Sequence, residues 1–276
     1  MFDRFGGKIM RIGVIGTGNI GGMLAKAFAE CPDTEVYVYN RTIGKAHALA
    51  DAWQRIYVLP NEAAVADAVD VVFLCTKSGE GISILEDIGP RLSCRQYLVP
   101  TISTLPCSQL ESCTDAGVAK VIPSIVQSVR SGILLVSHGP SLTPDQQVFL
   151  DHVFRRIATP FVVAEDQLRV ASDLTSCGPA FIAYLLQLWA EAAERTGRLT
   201  RVQAEHLLTS TVVGLAQLLQ SGVTIQDIIT KVCVPGGVTE CGMTPLREAG
   251  PALFDTLHEA TSHHAQRPPM APMLRE

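Results

Sequence analysis

The sequence has no run approaching the roughly 20 consecutive apolar residues that a bilayer span needs, no C-x-x-C pair and no block of lysine and arginine. Each absence removes a class of function. The opening stretch, Met1-Phe2-Asp3-Arg4-Phe5-Gly6-Gly7-Lys8-Ile9, also lacks the apolar centre of a signal peptide, so neither a membrane partner nor export is expected. Met10 is a second candidate for the first residue. With a net charge of −5 and no basic stretch, the chain has no field with which to hold nucleic acid. The eight cysteines are scattered at 31, 75, 94, 107, 113, 177, 233 and 241, and no histidine pair has metal-ligand spacing. Reduced thiols, a cytoplasmic location and no metal are the expectation. His263-His264 adjoin a proline-rich tail, residues 263–276, that reads as disordered and able to hold a metal only weakly.

What is present is a chain of 276 residues, 47% hydrophobic, long enough for two domains with their own cores. Its most informative stretch is Arg11-Ile12-Gly13-Val14-Ile15-Gly16-Thr17-Gly18-Asn19-Ile20-Gly21, an apolar strand running into Gly-x-Gly-x-x-Gly and then into a helical pattern. That context turns a weak glycine triplet into a dinucleotide-binding turn. Gly16 allows the sharp exit from the strand, Gly18 leaves room for a pyrophosphate, and Gly21 lets the helix pack close to the sheet. The helix N-terminus faces the phosphates with free N–H groups. Gly16, Thr17, Gly18, Asn19, Ile20 and Gly21 are therefore candidate cofactor residues.

A further absence chooses between cofactors. The strand Glu35–Tyr39 ends in Asn40-Arg41-Thr42, without the aspartate or glutamate that usually receives an adenosine 2′-hydroxyl. Arg41 offers a guanidinium fork and Thr42 a hydroxyl, both suited to a 2′-phosphate. NADP(H) is favoured, with NAD(H) the alternative; the other reading of Arg41 is a solvated residue after a turn.

The α/β alternation continues through helices over 43–53 and 61–68 and strands near 56–58, 70–75, 96–100, 118–122, 132–137 and 161–164, with a helix over 144–157. Buried parallel strands read as continuous apolar runs, as Val71 to Cys75 does. A doubly wound sheet of about eight strands is expected over residues 11–165, within a Rossmann domain spanning 1–165. Cys75 reads as a small buried residue at a strand end. Past Glu165 strand signals stop. A long helical pattern over 167–195 is interrupted by Cys177-Gly178-Pro179, where the proline should kink it. Further helices are expected over 200–220, capped by Thr200, and over 224–232 and 251–262, with a glycine-rich loop across 234–242. Helices this apolar are seldom exposed, so residues 166–262 are expected to form an all-helical domain that dimerises or assembles further.

The combination of Gly16-x-Gly18-Asn19-x-Gly21, Asn40-Arg41-Thr42, Ser176-Cys177-Gly178-Pro179-Ala180-Phe181 and Pro235-Gly236-Gly237-Val238-Thr239 resembles the pyrroline-5-carboxylate reductase family over nearly the whole chain. Arg169-Val170-Ala171-Ser172-Asp173 and Lys231-Val232-Cys233-Val234, which lead into the last two motifs, are most similar to the ComER-type late-competence branch. The resemblance implies NAD(P)H-dependent reduction of the cyclic imine of pyrroline-5-carboxylate to proline. It places Cys75, Thr76 and Lys77 beside the cofactor and Ser176, Gly237, Val238 and Thr239 at the substrate. Thr239 would carry the hydroxyl near the ring nitrogen, and the amides of Gly237 and Val238 would hold the carboxylate. An imine is strongly electrophilic only when protonated, so the site must keep a proton near that nitrogen. An alcohol is a poor acid, so Thr239 reads as an orienting and relaying group. The other reading of the loop is a plain helix connection. Cys177 reads as a packing residue, since no base neighbours it in sequence.

Departures from the family pattern fall mostly on the substrate side. Val234 stands where the reductases carry serine, and Ile122-Pro123-Ser124-Ile125 replaces Met-Pro-Asn-Thr. Cys75-Thr76-Lys77-Ser78 replaces Val-Lys-Pro. An altered substrate, or a competence-related or cofactor-sensing protein without turnover, therefore stands as the alternative. A hydroxyacid dehydrogenase is disfavoured, because Lys231 is the only lysine of the helical part.

Overall fold

A computed structural model describes residues 9–102 and 105–265, with the side chains of Ser78, His264 and Ala265 excepted. The proline-rich segment from residue 266 onward lies outside the described residues. The chain divides into two compact units, one carrying the sheet and running to Pro179, the other spanning Ala180–His264. The division comes later than the change in sequence character at Glu165. Leu168 is buried with Ile122, Leu135 and Val163, and Ala171 packs against them, so the start of the long helical segment belongs to the sheet's own core.

The first unit is an eight-stranded sheet in the order β3-β2-β1-β4-β5-β6-β7-β8. In chain order β1 is Met10–Ile15, α1 Asn19–Ala29, β2 Thr34–Tyr39, α2 Ile43–Ala52, β3 Ile56–Val58, α3 Glu62–Ala68 and β4 Val71–Leu74. Then come α4 Ser78–Ile88, β5 Tyr97–Pro100, α5 Cys107–Glu111, β6 Gly117–Ile122, β7 Ile133–His138, α6 Pro144–Phe154 and β8 Thr159–Val162. The first six strands are parallel, with Ile15 of β1 opposite Tyr39 of β2 and Leu74 of β4. The order reverses between β1 and β4, which leaves a crevice at their carboxyl ends, where open α/β sheets bind ligands.

Both faces of these strands are covered. On one, Ile12, Val14, Val71 and Phe73 pack with Phe28 and Phe154; on the other, Ile15, Val72 and Leu74 pack with Ile88 and Leu98. Adjacent residues of β4 thus face opposite cores, which is why the strand is apolar throughout. β7 runs antiparallel to β6, and β8 parallel to β7, so the last two strands oppose the doubly wound direction expected from the sequence. The link from Pro123 to Gly132 holds only a short 3-10 turn, which permits a return beside β6 but no parallel crossover. β8 also begins two residues earlier than expected, because its place is set by pairing Ile133 with Thr159 rather than by its own exposed apolar residues.

Past the sheet, α7 (Leu168–Ser172) passes through a π-helical turn at Asp173–Cys177 into α8, Gly178–Arg195. The expected disturbance at Pro179 takes this form. A proline inside a helix leaves a carbonyl of the preceding turn without its N–H partner, and a widened turn absorbs the mismatch. The second unit continues with α9 (Arg201–Gln220), α10 (Ile225–Val232) and α11 (Val238–Ala265). Thr200 caps α9 as expected, its hydroxyl accepting from the Gln203 amide at 3.3 Å while the Gln203 side chain accepts from the Thr200 amide at 2.9 Å.

One expected boundary is corrected. The glycine-rich loop read across 234–242 stops at Gly237, and the last helix begins at Val238, not near Pro251. The Glu240 carboxylate accepts from the Gly236 amide at 2.8 Å and ties the helix start to the turn, while Gly236 takes the left-handed φ of +74° that the turn requires. Pro245 and Pro251 both lie inside α11.

Candidate functional site

At the crevice beside β1, the three glycines divide their work. Gly16 has φ +92°, a backbone conformation that a side chain would strain. A Cβ on Gly21 would lie 1.8 Å from the Gly16 carbonyl oxygen, so α1 packs on the loop only because that residue is glycine. A Cβ on Gly18 would meet nothing. Its lack of a side chain serves no internal contact and leaves open space above the loop. Gly18 is also the N-cap of α1 and supplies no side chain to it, so the helix presents its first amides, at Asn19, Ile20 and Gly21, uncapped. Ile20 turns its side chain into the core.

Asn40 fixes this loop against the end of β2. Its Oδ1 accepts from the Thr17 amide at 2.9 Å and its Nδ2 donates to the Thr42 carbonyl at 3.0 Å. The hydroxyls of Thr17 and Thr76 are buried without a partner among the described residues, a costly state unless a ligand or water meets them. Ile15, Gly16, Tyr39, Asn40, Arg41, Glu62, Thr76, Gly79, Glu80, Ser83 and Ile84 line a cleft of about 360 Å³. Uncapped amides, orphaned hydroxyls and open space at Gly18 fit a dinucleotide phosphate group.

The structure thus brings Gly16, Thr17, Gly18, Asn19, Gly21, Asn40, Arg41 and Thr76 to one rim. Lys77 is exposed as the N-cap of α4 and does not line the cleft. Cys75 serves packing. Its backbone carbonyl would lie 2.8 Å from a Cβ on Gly16, and burial pushes its thiol up to about 12, so it is no nucleophile near neutral pH. Glu80 and Glu62 escaped the sequence reading. Glu80 lies on α4, a helix absent from that reading, and its carboxylate meets the Arg41 guanidinium across 39 positions of chain.

The substrate-side candidates divide between the units. In the first, the Ser176 hydroxyl donates to the Pro123 carbonyl at 2.7 Å and so holds the loop after β6. Arg169 donates to the buried Asp173 at 2.5 Å and to the Cys177 sulfur at 3.6 Å, one helical face linked across the π turn. In the second, Val238 is 91% exposed and Thr239 stands in the first turn of α11. The Gly237 amide is used within the turn, donating to the Val234 carbonyl at 3.0 Å. The amides of Val238 and Thr239 and the Thr239 hydroxyl have no partner among the described residues.

Fold and cleft define a Rossmann-type dinucleotide-binding protein with a helical unit appended. A family model described as pyrroline-5-carboxylate reductase dimerisation matches residues 165–267, and one described as NADP oxidoreductase coenzyme F420-dependent matches 11–103. ComE operon protein 4 of Bacillus subtilis (strain 168) is 31% identical over 256 residues, 91% of this chain and 94% of that protein. Pyrroline-5-carboxylate reductase 3 of the same organism is 26% identical, with the same coverage. Among solved structures, a pyrroline-5-carboxylate reductase from Coxiella burnetii superimposes with a TM-score of 0.82 at 24% identity, over 92% of this chain and 97% of that one. Plasmodium falciparum pyrroline carboxylate reductase, described with NADP bound, gives 0.80 at 18% identity, over 93% and 97%. At those identities the structures speak for the fold alone. The chain belongs to the pyrroline-5-carboxylate reductase family, NAD(P)-dependent oxidoreductases that act on CH–NH bonds.

Proposed function

We propose that this protein reduces pyrroline-5-carboxylate, or a close cyclic imine acid, to the saturated amino acid with NADPH, and that it does so as a homodimer or higher homo-oligomer. The observation that carries the reading is the start of α11, where an unpartnered hydroxyl, Thr239, and the unpartnered amides of Val238 and Thr239 stand together. Amides at a helix N-terminus suit a carboxylate. The hydroxyl beside them can hydrogen-bond the ring nitrogen and hold the proton that makes the imine electrophilic. Because the Gly237 amide is already used, the carboxylate falls to Val238 and Thr239. Ser176, in the sheet unit, spends its hydroxyl hydrogen on the Pro123 carbonyl.

On the cofactor side, the amides of Asn19, Ile20 and Gly21 and the hydroxyls of Thr17 and Thr76 would hold the pyrophosphate and its surroundings, and Arg41 and Thr42 a 2′-phosphate. NADPH bound there supplies the hydride for the imine carbon. The helical part from residue 166, with its apolar surface exposed, serves assembly in this reading; among the described residues no helix is long and apolar enough to cross a membrane.

A second reading is a competence-related or cofactor-sensing protein without turnover. Val234 supports it, because valine cannot supply the hydroxyl that reductases of the family carry there. The experiment that separates the two follows the nicotinamide absorbance with pyrroline-5-carboxylate and NADPH, for the wild type and for Thr239→Val. Turnover abolished by the substitution supports the reductase. Tight NADPH binding with no turnover of any cyclic imine acid supports the sensor.

A further inference from the structure

The adenosine end of the cleft carries more negative than positive charge. Among its described lining residues Arg41 is the one cation, against the carboxylates of Glu62 and Glu80. Glu80 stands at the third position of α4, where a glutamate commonly turns back onto its own helix cap. Here it reaches away instead. Its Oε1 accepts from Nη1 of Arg41, on the turn after β2, and both side chains are open to solvent, 82% exposed for Arg41 and 48% for Glu80. The guanidinium that would receive a 2′-phosphate is therefore already engaged, and by a group that would repel a phosphate.

We propose that Glu80 is a cofactor-discriminating residue, which taxes NADPH and accommodates NADH through the same Arg41 contact. The inference rests on the reading of Arg41 as the 2′-phosphate partner. For NADPH, Arg41 must leave Glu80 and the carboxylate must tolerate a nearby dianion. An exposed ion pair breaks readily, so the release is easy, while the repulsion persists for as long as the nucleotide stays bound. For NADH no such conflict exists. Glu80 keeps its partner and offers an acceptor to a ribose hydroxyl, the part usually played by a carboxylate at the end of β2. The sequence departure at Asn40-Arg41-Thr42, which alone favours NADPH, is thus offset from a different helix, and the protein is expected to use both nucleotides within a narrow ratio of affinities.

Calorimetric titration of NADPH and NADH into the full-length wild type, Glu80→Gln and Arg41→Gln tests this without turnover. Glu80→Gln removes the charge and keeps the shape. It should tighten NADPH by about three- to tenfold, the scale of one partly screened charge pair, leave NADH equal or weaker, and so widen the ratio in favour of NADPH. The gain should shrink as salt is raised. An unchanged ratio in Glu80→Gln, with Arg41→Gln still weakening NADPH selectively, overturns the role of Glu80 and spares that of Arg41. If Arg41→Gln leaves NADPH binding untouched, the 2′-phosphate reading itself fails, and this inference with it.

Discussion

The two units of the chain handle their apolar residues in opposite ways. In the sheet unit, both faces of the central strands are covered, and Phe28, Phe73 and Phe154 pack tilted and edge-on, with ring centroids 5.2 and 6.3 Å apart, in full burial; exposure of large apolar residues is local there, as at Phe161 and Val162 of β8. In the helical unit, Ala190 and Ala204 are the only buried hydrophobic residues among those described, while Trp189, Val202, Leu207, Val213, Leu218 and Ile225 are exposed. A sealed unit can fold and hold a ligand by itself. A unit with its apolar faces open is the part of the chain on which the proposed homo-oligomer would chiefly be built.

The strongest way to break that contrast is to remove the assembly. Light scattering across dilution should report at least a dimer at micromolar concentration. A charge on the open face, such as Val213→Glu, should produce monomers and abolish turnover, while NADPH affinity stays within about twofold, since the cleft lies wholly in the sheet unit. A monomer with full activity would show that the open face needs no partner.

The glycine loop sharpens the contrast inside the sheet unit by separating folding from binding. Gly21→Ala forces a Cβ against the Gly16 carbonyl and should cost several kcal/mol of stability, read as a lowered Tm. Gly18→Ala meets nothing in the protein and should change stability by no more than about 0.5 kcal/mol, yet weaken NADPH at least tenfold. Equal affinity in Gly18→Ala would remove the pyrophosphate from that loop.

How far the sequence alone reaches is visible in the same places. The sheet was legible because its signals are local. Apolar runs of a few residues end at glycines and caps, and that pattern can be read strand by strand. The reversal at β7 was hidden, since direction depends on the length of a link and not on strand composition. The start of α11 was misread because Pro251 suits a helix N-terminus, whereas the tie from Gly236 to Glu240 that starts the helix earlier is a tertiary detail of the turn. Glu80 was invisible for a stronger reason. Its meeting with Arg41 depends on β1 lying between β2 and β4, a crossover that no spacing in the sequence encodes.

A smaller effect belongs to Glu165, where the sequence changes character but the sheet unit does not end. Its carboxylate accepts from the buried Lys120 ammonium at 2.5 Å and from the Cys107 amide at 2.9 Å. Burial pushes that carboxyl up, but the Lys120 and Cys107 hydrogen bonds together outweigh it and hold it below its ordinary value of 4.5. The stability so gained is present above pH 4.5 and is lost as pH falls through the lower folded value. Glu165→Gln leaves Lys120 buried without its counter-charge and, because the Glu165 side chain is itself partly open to solvent, should cost about 1–2 kcal/mol by denaturant unfolding near neutral pH, with the difference from wild type shrinking in acid. A pH-independent difference would mean that packing, not charge, holds the two together. Smallest of all, Arg41→Asp should narrow or reverse the preference for NADPH over NADH, and equal affinities in the wild type that the substitution does not alter would sink the 2′-phosphate assignment.

The division of labour between the units is tested most directly in Thr239→Ala, by measuring NADPH affinity and single-turnover reduction of pyrroline-5-carboxylate on the same preparation. If the sheet unit binds cofactor and the first turn of α11 serves the imine, affinity should match the wild type while the reduction rate falls by about 10²-fold. A wild-type rate in Thr239→Ala, or a loss of NADPH affinity as large as the loss of rate, would contradict it.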